Sequence, residues 1–203
     1  MTTLVFEPRL EMLPDKIRAF VALRLSAEVE CAIAEFAAPM RALRSGVRWV
    51  RPANLHLTLR FLGDTVDNNL LLLLGQALNQ ISGQTSPFML HARGTGAFPN
   101  LDRPRIIWIG LVSEQLSQLA QHVEGAAVQV GFTPEGRPYT PHLTIGRVRD
   151  LHGWPRIRQM LRQSPNPDFG SVLISEMILY RSILGGEAAQ YQPLTRYPLT
   201  GAR

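Results

Sequence analysis

Two short stretches of the chain combine a histidine and a threonine in the same pattern. His56 and Thr58 lie in NLHLTLRFLG, and His142 and Thr144 lie in TPHLTIGR. Successive side chains of a β-strand point to opposite faces, so each histidine shares a face with the threonine two positions on, and the apolar residues between them form the other face. One strand histidine is ordinary, but two in the same setting indicate a functional pair.

Two imidazoles and two hydroxyls are suited to chemistry at a phosphodiester. Imidazole titrates near pH 6.5, so one neutral and one protonated ring coexist around neutrality. In-line displacement at phosphorus needs a base beside the attacking oxygen and an acid beside the leaving oxygen. The threonine hydroxyls can donate hydrogen bonds to the non-bridging oxygens. The pattern predicts metal-free phosphodiester chemistry in a cleft to which both strands contribute.

Other kinds of site fit the sequence less well. Zinc takes three or four ligands from His, Cys, Asp or Glu, and neither strand offers such a set beside its histidine. The single cysteine, Cys31, cannot form an internal disulfide. The chain also lacks the G-x-S-x-G of a serine nucleophile and the glycine-rich phosphate loop of nucleotide-binding proteins. We expect neither a metal nor a cofactor.

Three arginines and a tyrosine are further candidates for substrate binding. On a regular strand Arg60 shares the face of the first histidine, whereas Arg147 points away from the second unless Gly146 introduces a bulge. Arg137 and Tyr139 lie in the loop that leads into the second motif. Arginine matches phosphate oxygens and tyrosine stacks on bases. A solvated surface charge or core packing is the alternative for each.

Composition limits the class of protein. The chain has 203 residues, 45% of them hydrophobic, a net charge of +5 and a pI of about 10.1. These values predict one compact domain or two small fused lobes with an anionic partner such as RNA or a nucleotide. No apolar run approaches the ~20 residues that span a membrane. We expect a cytoplasmic monomer in which an N-terminal extension, residues 1–15, precedes a single domain, residues 16–203.

Hydrophobic periodicity predicts alternating strands and helices. Ser26 is a helix cap, Pro39 should kink or end that helix, and Gly63 with its neighbours marks a break after the first motif. Helices are predicted after Ser26 and over residues 65–82, 113–130 and 154–162. Strands are predicted over residues 16–25, 47–50, 86–94, 105–111, 142–148, 168–184 and 190–199, and at the first motif. Hairpin-like links indicate an α+β fold: bilobal, with two pseudo-symmetric antiparallel sheets around a central cleft and helices outside.

The motifs and their flanks resemble a known family. VRWVRPANLHLTLRFLG, GTGAFPN, RIIWIG and GFTPEGRPYTPHLTIGR are similar to segments of the two-histidine phosphoesterases, most closely of the bacterial and archaeal RNA 2′,3′-cyclic phosphodiesterases, also called 2′-5′ RNA ligases. The likeness extends from about residue 17 to residue 198.

The resemblance has implications for both fold and mechanism. It implies a metal-free bilobal enzyme that hydrolyses a 2′,3′-cyclic phosphate to a 2′-phosphomonoester. His56 and His142 would be catalytic, with Thr58 and Thr144 on the phosphate. It further implies that His142 activates water and that His56 protonates O3′. Arg147 also belongs to the family motif.

Two alternatives stay open at this point. The chain could bind a nucleotide or RNA in the same cleft without turnover, although a binding module has no need of both histidines. The same residues could also join RNA ends through a 2′-5′ bond, because ring opening is reversible in principle.

Overall fold

The fold is taken from a computed structural model that describes residues 14–185 and 189–202. The first strand begins at Lys16. Of the predicted N-terminal extension, residues 1–15, all but the last two residues lie outside the described part of the chain. No helix within the described ranges is both long enough and apolar enough to cross a membrane.

Nine strands and four helices alternate along the described chain, and all strand pairings are antiparallel. The strands are β1 Lys16–Leu23, β2 Val47–Trp49, β3 Leu57–Asp67, β4 Phe88–Phe98, β5 Ile106–Val112, β6 His142–Val148, β7 Asp168–Ile174, β8 Glu176–Ile183 and β9 Gln190–Pro198. The helices are α1 Ala27–Arg41, α2 Asn68–Gln84, α3 Glu114–Gln129 and α4 Trp154–Gln163. The predicted α+β class is confirmed.

The strands form one sheet in the order β7-β4-β5-β6-β3-β1-β8-β9, with β2 paired to the free part of β6. The two halves meet where β3 and β6 pair, through Leu57 and Leu143. The two sheets predicted from the sequence are therefore halves of a single sheet. Each half contains a strand, a helix, a motif strand and a helix in that chain order, as in β1-α1-β3-α2 and β5-α3-β6-α4. This repeat is the twofold character that the paired motifs indicated.

All four helices pack on one face of this sheet and share one hydrophobic core with it. Leu55, Leu57 and Leu59 of the first motif are at most 5% exposed and lie in that core. Burial of each leucine side chain contributes about 1.5–3 kcal/mol, so the leucines hold the motif strand with its polar residues on the other face. We call that other face, which includes Phe20, Ala22 and the two histidines, the histidine face.

Two predicted boundaries are wrong for identifiable reasons. The break expected at Gly63 is a bulge inside β3: Ala19 pairs with Gly63 and Ile17 with Val66, so two residues of β3 lie opposite the single residue Arg18 and one of them is extra. Gly63 has φ 138°, a conformation open to glycine but not to bulky side chains. The single strand expected over residues 168–184 is divided at Ser175, and its parts lie in opposite halves of the sheet, β7 beside β4 and β8 beside β1.

The helix predictions are close to the observed helices. The Ser26 hydroxyl accepts a hydrogen bond from the Val29 N–H and caps α1. Pro39 lies in the last turn, and the helix continues for two residues beyond it. Proline removes one backbone donor, which is a smaller loss where the helix is already ending.

Candidate active site

The junction of the two sheet halves brings the two motifs together. The antiparallel pair Leu57–Leu143 sets the register, so the adjacent positions place His56 beside Thr144 and Thr58 beside His142. The two histidines are then diagonal neighbours on the same face, with about 7–8 Å between their backbones. This spacing leaves room for one phosphate between the rings, with a threonine on each side.

Each imidazole is held by the same backbone contact. Nδ1 of His56 lies 2.7 Å from the carbonyl oxygen of Asn54, and Nδ1 of His142 lies 2.8 Å from that of Thr140. A carbonyl oxygen can only accept, so we assign the proton to Nδ1 in both rings. Each Nε2 is therefore the atom available for proton transfer. A carbonyl two residues before the histidine fixes the ring in both halves, which repeats the pseudo-symmetry at the level of single atoms.

Aromatic rings orient both histidines. The His56 ring lies 4.8 Å from Phe20 and 4.9 Å from Tyr191, centroid to centroid. The His142 ring meets the edge of Phe98 at 5.0 Å. Such contacts restrict ring rotation, so each Nε2 has a defined direction.

A glycine makes the packing beside His142 possible. The Phe98 ring lies 5.4 Å from Trp108, which is paired with Gly96 across β4 and β5. A Cβ atom at Gly96 would lie 2.4 Å from the indole ring, closer than any carbon contact allows. The GTGAFPN segment therefore supplies the Phe98 ring that contacts His142, and its Gly96 leaves the space that the Trp108 indole occupies.

The electrostatic environment of His56 disfavours its protonated form. Burial lowers the pKa of His56 from 6.5 to about 4; the hydrogen bond to Asn54 opposes this shift, and the positive charges of Arg147 and Arg24, together with His142 when it is protonated, add to it. In the free protein at neutral pH, His56 is therefore a neutral ring with an open lone pair on Nε2. An anion bound between the histidines would offset these positive charges and raise the pKa of His56.

Arg147 lies on the histidine face because β6 has the bulge that the sequence allowed for. Thr144 pairs with Trp108 but Gly146 pairs with Ile107, which leaves Ile145 as the extra residue. The bulge reverses the alternation after Thr144 and turns Arg147 toward His56, whose pKa it lowers. The orientation that the sequence made conditional on Gly146 is confirmed.

Arg60 lies on the other face, and the expectation that it shares the face of His56 is wrong. Ala22 pairs with Thr58 but Val21 pairs with Arg60, so β3 contains a bulge between the two. The bulge turns Arg60 toward the helices, where it is 8% exposed. Its Nε lies 2.7 Å from a carboxylate oxygen of Glu124, and it also bonds Glu135 and the Thr133 carbonyl. We therefore remove Arg60 from the candidate phosphate ligands.

The two loop candidates have different surroundings. The Tyr139 hydroxyl donates to the carbonyl oxygen of Thr58 at 3.3 Å, and its ring packs against the hydrophobic core. Burial raises the pKa of Tyr139, so the phenol stays a hydrogen-bond donor. Tyr139 thus ties the second motif's loop to the first motif strand and positions the site rather than stacking on a base. Arg137 is exposed in that loop, and its role in binding stays a prediction.

Three residues beside His56 were not among the sequence candidates. Phe20 and Tyr191 contact the ring, and Arg24 contributes to its low pKa. Arg24 is held by Glu30 at 2.7 Å. These residues come from β1, β9 and the loop after β1, far from the motif in the chain. No local pattern indicates which distant strands will flank a motif strand.

Comparison with known proteins identifies the family. The family described as LigT like Phosphoesterase matches residues 23–108 and again residues 109–183. The RNA 2′,3′-cyclic phosphodiesterase of Methanothermobacter thermautotrophicus is 33% identical over 170 residues, which are 83% of this chain and 91% of the relative. The chain therefore belongs to the LigT-like phosphoesterase family, and the resemblance noted from its motifs is confirmed. The family model matches twice along the chain, and each match contains one of the two histidine motifs.

Solved structures agree with this assignment. The crystal structure of TT0787 of Thermus thermophilus matches with a TM-score of 0.79 and 28% identity, over 92% of this chain and all of the other. Escherichia coli LigT, crystallised with 3′-AMP, matches with a TM-score of 0.71 and 28% identity, over 91% of this chain and 99% of that one.

The low pKa of His56 predicts a specific pH dependence of stability. Between pH 6.5 and pH 4 the unfolded chain protonates this histidine and the folded chain does not, so stability is lost as the pH falls, by up to roughly 3 kcal/mol. His56→Gln should remove this component. Unfolding in denaturant at pH 7 and pH 4 measures it. His122→Gln, on the exposed surface of α3, is the control and should behave as the native chain; an equal pH response in native and His56→Gln proteins would contradict the assigned burial.

Proposed function

We propose that this chain hydrolyses the 2′,3′-cyclic phosphate at the end of an RNA or nucleotide to a 2′-phosphomonoester, without a metal, and that His56 and His142 act as its acid–base pair. The observation that supports this most strongly is the Leu57–Leu143 pairing, from which it follows that the histidines of the two motifs are diagonal neighbours on one face of the sheet. The activity carried in the name of the Methanothermobacter relative is consistent with the proposal.

The proposed step has a defined course. Nε2 of His142 accepts a proton from water, and the water oxygen attacks phosphorus opposite O3′. The P–O3′ bond breaks, and Nε2 of His56 donates a proton to the departing oxygen. Thr58 and Thr144 donate hydrogen bonds to the non-bridging oxygens, and Arg147 offsets the developing negative charge. The products are a 2′-phosphate and a free 3′-hydroxyl.

The low pKa of His56 fits the role of the acid under one condition. The ring is neutral in the free protein, so its proton must be taken up together with the substrate. The bound phosphate is negative and lies beside the same charges that disfavour the imidazolium, so it favours uptake of the proton. Once protonated, a ring in such surroundings is a strong donor to an alkoxide leaving group. We expect the protein to act in this way on RNA ends as a cytoplasmic monomer.

We expect His56→Gln and His142→Gln each to lower kcat for cytidine 2′,3′-cyclic phosphate by ~10²–10⁴-fold, because each removes a proton-transfer group. Thr58→Val and Thr144→Val should lower it less, because each removes a hydrogen bond only. His152→Gln, in an exposed loop, is the matched control and should keep native activity. Binding of the cyclic nucleotide by the native protein without turnover would instead support the binding-module alternative.

The order of acid and base can be tested separately with a substrate in which sulfur replaces O3′. A thiolate leaves without protonation, so the variant that lacks the acid is rescued and the variant that lacks the base is not. We expect His56→Gln to recover most of its lost rate on this substrate and His142→Gln to stay inactive. Recovery of His142→Gln alone would show that the two roles are exchanged.

A further inference from the structure

The carbonyl groups that orient the two histidines lie in segments of different kinds. For His56 the carbonyl belongs to Asn54, in a 3₁₀ turn that is closed by backbone hydrogen bonds. For His142 it belongs to Thr140, in the loop between α3 and β6. Within the described chain, residues 133–141 make no backbone-to-backbone hydrogen bond outside the sheet. Side chains must therefore hold this loop, and with it the carbonyl of Thr140, in place.

Arg60 provides one of these attachments. Its guanidinium donates to the backbone carbonyl of Thr133, at the start of the loop, and lies 3.2 Å from a carboxylate oxygen of Glu135. Its Nε lies 2.7 Å from Glu124 of α3, which in turn accepts a hydrogen bond from the Glu135 N–H at 2.8 Å. One buried guanidinium thus joins the first motif strand, a helix and the loop.

The charges of this cluster make Arg60 necessary to it. Among the ion pairs of the described residues, Arg60 is the cation that the carboxylates of Glu124 and Glu135 share. Without it these two negative charges would repel each other, and the Thr133 carbonyl would lose its donor. The bulge in β3 that turns Arg60 away from the histidine face is therefore what allows the first motif strand to hold the loop of the second motif.

A second attachment joins the same strand to the other end of the loop. The Tyr139 hydroxyl donates to the carbonyl oxygen of Thr58 at 3.3 Å, and Tyr139 directly precedes Thr140. Three of the nine residues from 133 to 141 are prolines, each of which fixes one backbone dihedral angle. Few free dihedral angles therefore separate the end that Arg60 holds from the carbonyl that orients the histidine.

We propose that Arg60 is a positioning residue for His142: through the loop, it holds the Thr140 carbonyl where that carbonyl keeps the imidazole proton on Nδ1 and leaves Nε2 free to take a proton from water. The inference rests on the function proposed above. The hydrogen bond made by one ring nitrogen decides which tautomer a neutral imidazole adopts. With the carbonyl displaced, the ring can carry its proton on Nε2, and in that tautomer it cannot act as the base.

Nitrogen-15 NMR of the imidazoles tests the proposal without any substrate. The spectra distinguish the two tautomers at a pH well above the imidazole pKa of about 6.5. Arg60→Gln should raise the fraction of His142 that carries its proton on Nε2 and leave His56 unchanged, so that His56 serves as a reference in the same molecule. A native tautomer at His142 in the folded Arg60→Gln protein would overturn the proposal.

Kinetics show whether the effect passes through His142. Arg60→Gln should lower kcat for cytidine 2′,3′-cyclic phosphate by about ten- to a hundredfold and change KM little, because a displaced catalytic group slows the chemical step more than it weakens binding. In a His142→Gln background the same change should have no further effect, because no imidazole is left to position. Equal losses in both backgrounds would overturn the proposal.

A milder variant decides the question if Arg60→Gln does not fold. Glu135 is half-exposed, and Glu135→Gln removes one contact between the loop and Arg60 while it keeps the ion pair of Arg60 with Glu124. It should shift the tautomer of His142 in the same direction by a smaller amount. In that case a native tautomer in Glu135→Gln would overturn the proposal.

A matched control separates positioning from the general loss of an ion pair. Arg158 of α4 pairs with Asp102, and neither residue belongs to the loop or to the two motif strands. Arg158→Gln should keep the native tautomer of both histidines and the native kcat. Equal changes in Arg158→Gln and Arg60→Gln would overturn the specific role of Arg60.

The proposed function and this inference fail in distinguishable ways. If the native protein does not hydrolyse the cyclic nucleotide, the proposed function is wrong, and the tautomer of His142 in Arg60→Gln still decides whether Arg60 orients the ring. If the native protein is active and Arg60→Gln shifts the tautomer but keeps the native kcat, the proposed function stands and the positioning role of Arg60 is overturned.

Discussion

The pairing of Leu57 with Leu143 is the contact on which the rest of the site depends. It joins the two halves of the sheet and aligns their motif strands in opposite directions. Both leucines are at most 1% exposed, so slippage by one residue would expose apolar side chains and bury the histidines. Hydrophobic burial on the face that packs against the helices thus fixes the positions of the histidines and threonines on the histidine face.

The twofold arrangement supplies two proton-transfer groups, and departures from symmetry give them different roles. Each ring has the same backbone partner for Nδ1, but His56 is flanked by Phe20, Tyr191 and several positive charges. A phosphodiester has unlike oxygens on its two sides, so a symmetric pair would have no means of selecting one orientation. The asymmetry in burial and charge provides that selection.

Much of this could be predicted from the sequence because the determinants are local. The alternation around His56 and His142 predicted the two motif strands and the face that each histidine shares with its threonine, the hairpin-like links predicted the α+β class, and Gly146 supplied the condition for the bulge near Arg147. The error at Arg60 arose from the bulge between Thr58 and Arg60. This bulge has no glycine at its extra residue, and it depends on the register of β3 with β1. The joining of the two sheets, and the rings that flank His56, likewise follow from contacts between residues far apart in the chain.

The central claim is that one phosphate is held in a single orientation between the two histidines without a metal. Phosphorus NMR of the product formed from cytidine 2′,3′-cyclic phosphate in the presence of EDTA tests it most directly. The account predicts full turnover and a 2′-phosphomonoester as the sole product. Loss of turnover that one added metal restores would contradict the metal-free mechanism, and an even mixture of 2′- and 3′-phosphates would contradict the fixed orientation.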